Sequence, residues 1–132
     1  MKRILLDTNA YTALLAGDEG VLAALSDADA VLVSVIVLGE LHAGFKGGSR
    51  EPENLEALAD FLRRPPVRTV DVTPTTAEVF GVVKDRLRRA GAPIPINDVW
   101  IAAHAIETGS WLVTYDRHFG AVAGLLLWDA AR

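Results

Sequence analysis

Four carboxylates are placed where chemistry could be done. Asp7 lies in Leu5-Leu6-Asp7-Thr8-Asn9, Glu40 in Leu38-Gly39-Glu40-Leu41, Asp98 in Ile96-Asn97-Asp98-Val99-Trp100, and Asp116 in Val113-Thr114-Tyr115-Asp116-Arg117. Each falls where a buried strand gives way to a helix, or early in a helix, and each has apolar neighbours that cannot neutralise it. A lone buried carboxylate is strongly disfavoured, so such groups are normally paired, hydrogen-bonded or bound to a metal. Brought together, four of them call for a divalent cation. With no Cys and only 3 His in the chain, the donors are hard oxygens, which suit Mg²⁺ or Mn²⁺ better than Zn²⁺. An all-carboxylate site of this kind fits phosphodiester hydrolysis, where bound ions activate water and stabilise charge on a phosphoryl oxygen.

Taken singly, three of the acids have ordinary structural uses. Asp7 would serve as the cap of the first helix. Asp98 would complement a helix dipole, and Asp116 would cap the turn before His118-Phe119. Glu40 has no such use. Its helical neighbours Ile36, Val37, Ala43 and Gly44 are apolar or small, which predicts a buried face and leaves a salt bridge as the alternative to a site role.

The elements that must position these acids follow from the pattern of apolar residues. Ile4-Leu5-Leu6, Ala30-Val31-Leu32-Val33, Val67-Arg68-Thr69-Val70, Trp111-Leu112-Val113 and Leu125-Leu126-Leu127 read as short strands. Between them run helical periodicities. The first, capped by Asp7 or Thr8, carries Tyr11, Leu14 and Leu15. The second, capped by Asp18, carries Val21, Leu22 and Leu25. Ser34 is placed to cap the helix bearing Glu40. A further helix carries Leu55, Leu58, Phe61 and Leu62, and another starts at Thr73-Pro74 and buries Phe80, Val83 and Leu87. Asn97 is expected to cap the helix bearing Asp98, with Ile96 and Ile101 forming a hydrophobic staple. The segment from Gly47 to Pro52 is expected to be a mobile loop. Strands alternating with helices predict an α/β fold with a mostly parallel sheet, whose ligand sites lie beyond the carboxyl ends of the strands.

A chain of 132 residues, 51% hydrophobic and 23% charged, is expected to fold as one domain over residues 1–132. No apolar run is long enough to span a bilayer, and the apolar run after Lys2-Arg3 is too short for a secretion signal. A cytoplasmic location with no membrane partner is therefore expected. The net charge of −4 argues against a nucleic-acid partner only superficially. Setting the four candidate acids aside from the 17 leaves a number equal to the 13 Lys and Arg, so the excess negative charge is that of the candidate site.

Together the four segments resemble the PIN-domain nucleases, and within them the VapC-type toxins of toxin–antitoxin pairs. Leu5-Leu6-Asp7-Thr8-Asn9 looks like the first acidic motif, and Gly39-Glu40-Leu41-His42-Ala43-Gly44 like the second. Asn97-Asp98-Val99-Trp100-Ile101-Ala102-Ala103-His104-Ala105 looks like the third, and Leu112-Val113-Thr114-Tyr115-Asp116-Arg117-His118-Phe119 like the fourth. The resemblance covers nearly the whole chain. It implies a three-layer α/β/α fold and Mg²⁺- or Mn²⁺-dependent cleavage of RNA. Asp7 and Asp98 would be the principal metal ligands. Glu40 would orient or deprotonate the attacking water, and Asp116 would bind a second ion or act through water. Thr114 would hydrogen-bond within the cluster and Asn9 would support Asp7. The family also implies homodimers, and an antitoxin whose C-terminal segment enters a groove of the toxin.

The remaining polar and aromatic residues are weaker candidates. Arg117 and His118, beside Asp116, are placed to contact substrate phosphate. His42 and His104 fall on helices and read as partners of buried polar groups or as surface residues. Lys84, Arg86, Arg88 and Arg89 form a basic stretch that reads as a solvated face. Trp100, Trp111 and Trp128 read as core or interface. Tyr11, Leu14 and Leu15, with Leu55, Leu58 and Leu62, belong to the core by default and offer an apolar groove to a partner helix as the alternative. A second function of a different class is a regulatory module acting within an antitoxin–operator DNA complex. A doubly wound phosphatase is disfavoured, because Asp7 is followed by Thr8 and Asn9 and the Asp-x-Asp nucleophile motif is absent.

Overall fold

The computed structural model describes residues 2–129. In chain order it contains β1 (Arg3–Leu6), α1 (Thr8–Leu15), α2 (Glu19–Ser26), β2 (Ala30–Ser34), α3 (Val35–Gly47), α4 (Glu51–Leu62), β3 (Val67–Val70), α5 (Pro74–Arg89), α6 (Ile96–Thr108), β4 (Trp111–Thr114), a 3₁₀ helix (Arg117–Ala121) and β5 (Leu126–Asp129). The five strands form one sheet in the order β3-β2-β1-β4-β5, and every pairing is parallel. This is the α/β architecture expected from the alternation of strands and helices. With the right-handed crossovers that parallel strands almost always have, α1 to α4 fall on one face of this strand order and α5 and α6 on the other, giving three layers.

The central strands are apolar because both of their faces are covered. Ile4, Leu5 and Leu6 are fully buried, and all five residues of β2 are buried. The outer strand β3 exposes Arg68 and Thr69 at its middle. From β1 the chain moves outward through β2 to β3, then crosses back to the other side of β1 to form β4. The crevice of such a sheet lies where that direction reverses, at the carboxyl ends of the strands. Here that point falls between the ends of β1 and β4, where Leu6 pairs with Val113 and the amide of Asp7 donates to the Val113 carbonyl at 3.3 Å.

A buried polar relay fixes α6 against α3. His104 is fully buried. Its Nδ1 is 2.8 Å from Ser34 Oγ, and its Nε2 is 3.0 Å from the carbonyl of Asp71. A carbonyl only accepts, so Nε2 carries the proton and Nδ1 accepts from the Ser34 hydroxyl. Ser34 Oγ accepts in turn from the amide of Ile36 at 3.0 Å and so caps α3. The start of α3 is thus tied to α6 at His104, roughly two turns along that helix from Asp98.

Several local expectations are corrected. The loop expected from Gly47 to Pro52 shortens to the three residues 48–50, since α3 runs to Gly47 and α4 begins at Glu51. Pro52 occupies the first turn of α4, where its missing amide costs nothing. Asn97 does not cap α6. Pro95 is the cap residue, its carbonyl accepting from the amides of Asp98 and Val99. Ile96 becomes the first helical residue and is half exposed, so no staple forms. Phe80 is only partly buried and stacks on Trp100 with ring centroids 3.9 Å apart. Ala43 and Gly44 are exposed and Glu40 is half-buried, so its helix face is not the buried one its neighbours suggested. Among the described residues no helix is long and apolar enough to cross a membrane.

Candidate active site

Asp7, Glu40, Asp98 and Asp116 line one cavity of about 330 Å³, together with Thr8, Asn9, Pro95, Ile96 and Asn97. Each acid arrives from a different element. Asp7 follows β1 and caps α1, its Oδ1 accepting from the amide of Ala10 at 2.8 Å. Glu40 points in from the second turn of α3. Asp98 stands in the first turn of α6, and Asp116 sits between β4 and the 3₁₀ helix. Asp116 makes no side-chain cap bond there, so the turn does not explain its carboxylate. Asp7 does act as a cap, but one that is 3% exposed and shares a cavity with three other acids.

The acids are held by neighbours from other segments. Thr8 Oγ1 donates to Glu40 Oε1 at 2.6 Å. Thr114 Oγ1 donates to Asp7 Oδ2 and accepts from the amide of Asp116 at 2.9 Å. His118 Nε2 is 2.8 Å from Asp98 Oδ2. Thr114 thus bonds within the cluster, as the resemblance implied. Asn9 lines the cavity, while the bonds to Asp7 come from Ala10 and Thr114. Arg117 lies in an adjoining cavity of about 420 Å³ with Thr114, Asp116, Gly120 and Leu127. It is exposed, and it forms no ion pair among the described residues.

Two of these contacts were not legible in the sequence. Thr8 was read only as a possible cap, and nothing local ties it to Glu40, 32 residues away. His118, expected at substrate phosphate, has its Nε2 at Asp98 Oδ2, a contact that nothing local in the sequence announces. The other histidines fall where expected: His104 is a partner of buried polar groups, and His42 lies on the surface beside Phe45. In α5, Arg88 and Arg89 pair with Asp85 on an exposed face.

The electrostatics are those of crowded negative charge. Among the described residues no Lys or Arg lines the cavity. Burial pushes the Asp7 carboxyl up to about 6. The hydrogen bonds from Thr114 and Ala10 oppose that rise, and the charges of Asp116 and Asp98 add to it. Asp98 is also raised, first by burial. The His118 hydrogen bond and charge pull it down, and Glu40 and Asp116 push it up. Ligand atoms of Asp98, Asp116 and His118 lie within 4.8 Å of one another. A donor set of clustered carboxylate oxygens fits a hard divalent cation, which would offset both the burial and the mutual repulsion that raise Asp7 and Asp98.

A family model of the PIN domain matches residues 4–125. Ribonuclease VapC2 of Haemophilus influenzae is 35% identical over 100 residues, covering 75% of this chain and 74% of that protein. Ribonuclease VapC4 of Mycobacterium tuberculosis is 30% identical over 90 residues, covering 68% and 69%. The chain therefore belongs to the PIN-domain family and, within it, to the VapC-type proteins. Among solved structures, the VapBC2 complex of Rickettsia felis bound to a promoter DNA fragment superposes with a TM-score of 0.83 at 27% identity, over 96% of this chain and 99% of that one. The DNA-bound VapBC of Salmonella typhimurium gives 0.86 at 26% identity, over 98% and 99%.

Proposed function

We propose that the chain is a divalent-cation-dependent endoribonuclease, the toxin of a VapBC-type pair, acting in the cytoplasm. The observation that carries this reading is the convergence of Asp7, Glu40, Asp98 and Asp116 on one cavity that no Lys or Arg of the described residues lines. Its VapC-type relatives are named ribonucleases. Asp7 and Asp98 would hold a Mg²⁺ or Mn²⁺ ion, and Asp116 would hold a second or act through water. The chemistry such a cation supplies when bound is charge neutralisation on a phosphoryl oxygen and activation of water. Glu40, steadied by Thr8, would orient the attacking water and take its proton. Thr114 would keep Asp7 aimed into the cavity, with Asn9 at its wall. Arg117, exposed beside Asp116, would meet the RNA backbone.

Cleavage of RNA by the purified chain with Mg²⁺ or Mn²⁺, stopped by EDTA, tests the reading. Asp98→Asn keeps the shape and removes the charge. It should lower the rate at least about 100-fold, the upper end of what loss of an outer-shell partner costs. An Asp98→Asn protein with full activity would sink the assignment.

The partner would be a cognate antitoxin, with the toxin itself dimeric. Leu14, Leu15, Leu22, Ala57, Asp60, Phe61 and Arg64 line a groove of about 320 Å³ between α1, α2 and α4, and Leu15 and Leu22 are nearly half exposed. An apolar helix with an acidic or basic flank would fit it. The regulatory alternative draws on neighbours solved as VapBC complexes with DNA. Growth arrest that persists in Asp98→Asn would favour that alternative.

A further inference from the structure

We propose that His118 is a positioning residue for Asp98: its imidazole fixes one carboxylate oxygen so that the other is turned to a divalent cation in the acidic cavity. The proposal rests on the cation site argued above and assigns His118 a task distinct from touching RNA.

The first support is the contact itself. His118 Nε2 lies 2.8 Å from Asp98 Oδ2, a length typical of a charge-assisted N–H···O bond. His118 is where it is because of the backbone. It belongs to the 3₁₀ helix after β4, and the next residue, Phe119, is fully buried and anchors that turn in the core. The two rings touch, with centroids 4.9 Å apart. An imidazole delivered by an anchored turn presents its nitrogen at little conformational cost.

The second support is a pattern across the site. Thr114 holds Oδ2 of Asp7, Thr8 holds Oε1 of Glu40, and His118 holds Oδ2 of Asp98. In each pair the donor comes from a different segment than the acid. Asp98 needs such a donor as Asp7 and Glu40 do. Its charged neighbours Glu40 and Asp116 repel it, and no other side chain among the described residues donates to it. Without His118 the carboxylate loses the one side-chain bond that the described residues give it. Partners of this kind, fixing the orientation of a ligating group, are worth about 10–100-fold in metal affinity.

Two other uses of the ring are separable. A phosphate contact through the second ring nitrogen, Nδ1, would show as a raised KM for RNA with cation affinity intact. As a metal ligand, Nε2 would have to be unprotonated and could not donate to Oδ2; such a site would favour imidazole-seeking ions such as Ni²⁺ over Mg²⁺.

The test compares wild type with His118→Ala, His118→Gln and His118→Asn in the full chain. Dissociation constants for Mg²⁺, Mn²⁺ and Ni²⁺ are measured calorimetrically without RNA, and kcat and KM on a defined oligoribonucleotide at saturating cation. His118→Ala should weaken all three ions in proportion, by about 10–100-fold. His118→Gln, whose amide can still donate, should recover most of the loss. His118→Asn, too short to reach, should resemble alanine and replaces it if alanine does not fold. KM for RNA should stay within about twofold of wild type. Unchanged cation affinity overturns the proposal, as does a raised KM with cation affinity intact, which marks a substrate contact. A loss much larger for Ni²⁺ than for Mg²⁺ and not restored by glutamine also overturns it, because it marks a direct ligand. Wild type that binds none of the ions overturns the cation site itself, a result distinct from any effect of the substitutions.

Discussion

Asp7 shows how one side chain can serve the fold and oppose it together. As a cap it accepts from Ala10, and as a buried anion beside Asp116 and Asp98 its carboxyl is held near 6 instead of 3.8. Because the folded-state value lies above the unfolded one, protonated Asp7 favours the folded chain. That contribution is complete below about pH 4 and is lost as pH rises through about 6. A shift of about two units corresponds to roughly 3 kcal/mol. Asn caps as well as Asp and can bond Thr114 without charge. Cation-free Asp7→Asn should therefore be more stable than wild type at pH 7, by up to about 3 kcal/mol, and nearly equal to it at pH 4. Denaturant unfolding at the two pH values checks this. Added Mg²⁺ should then stabilise wild type far more than the variant. The acids were visible in the sequence because a charge flanked by apolar residues is costly without a partner. The donors that hold them were not, because Thr8 with Glu40 and His118 with Asp98 meet only through the tertiary fold.

At the scale of elements, the relay Ser34–His104–Asp71 joins the start of α3 and the chain after β3 to the second half of α6. His104→Ala would leave the buried Ser34 hydroxyl without its partner and open a cavity where a fully buried ring stands. A loss of about 3 kcal/mol is expected in urea unfolding; a loss below about 1 kcal/mol would show that the relay does not hold the two helices. The strands were legible because short apolar runs recur between helical periods. The start of α6 was less so. Asn97 is a good cap by residue type, but Pro95 fixes the backbone two residues earlier, and the helix begins at Ile96. Glu40 was judged buried from its apolar neighbours. The cavity instead leaves that stretch of α3 half open, with Ala43 and Gly44 exposed.

At the scale of the molecule, the reversal of strand order between β1 and β4 is what turns four distant acids into neighbours. The α/β class and the position of the site at the carboxyl ends of the strands were both readable, since parallel topology leaves few alternatives. The exposed apolar groove was only half readable. The sequence suggested Leu14 and Leu15, but Leu55, Leu58 and Leu62 lie outside it and Leu22 and Phe61 line it. The periodicity of a helix does not tell which apolar residues its neighbours will cover. If the groove takes an antitoxin segment, Leu22→Glu should weaken antitoxin binding by about 10-fold or more while leaving RNA cleavage unchanged. Titration of the purified pair checks this, and unchanged affinity would place the partner elsewhere.

The central claim is that four carboxylates from four segments act as one cation site. Its most direct measurement is Mn²⁺ binding to the free chain by calorimetry, repeated for Asp7→Asn, Glu40→Gln, Asp98→Asn and Asp116→Asn. Wild type should bind, and every one of the four substitutions should weaken that binding, Asp98→Asn most. Absence of binding in wild type, or affinity untouched by all four substitutions, would contradict the account.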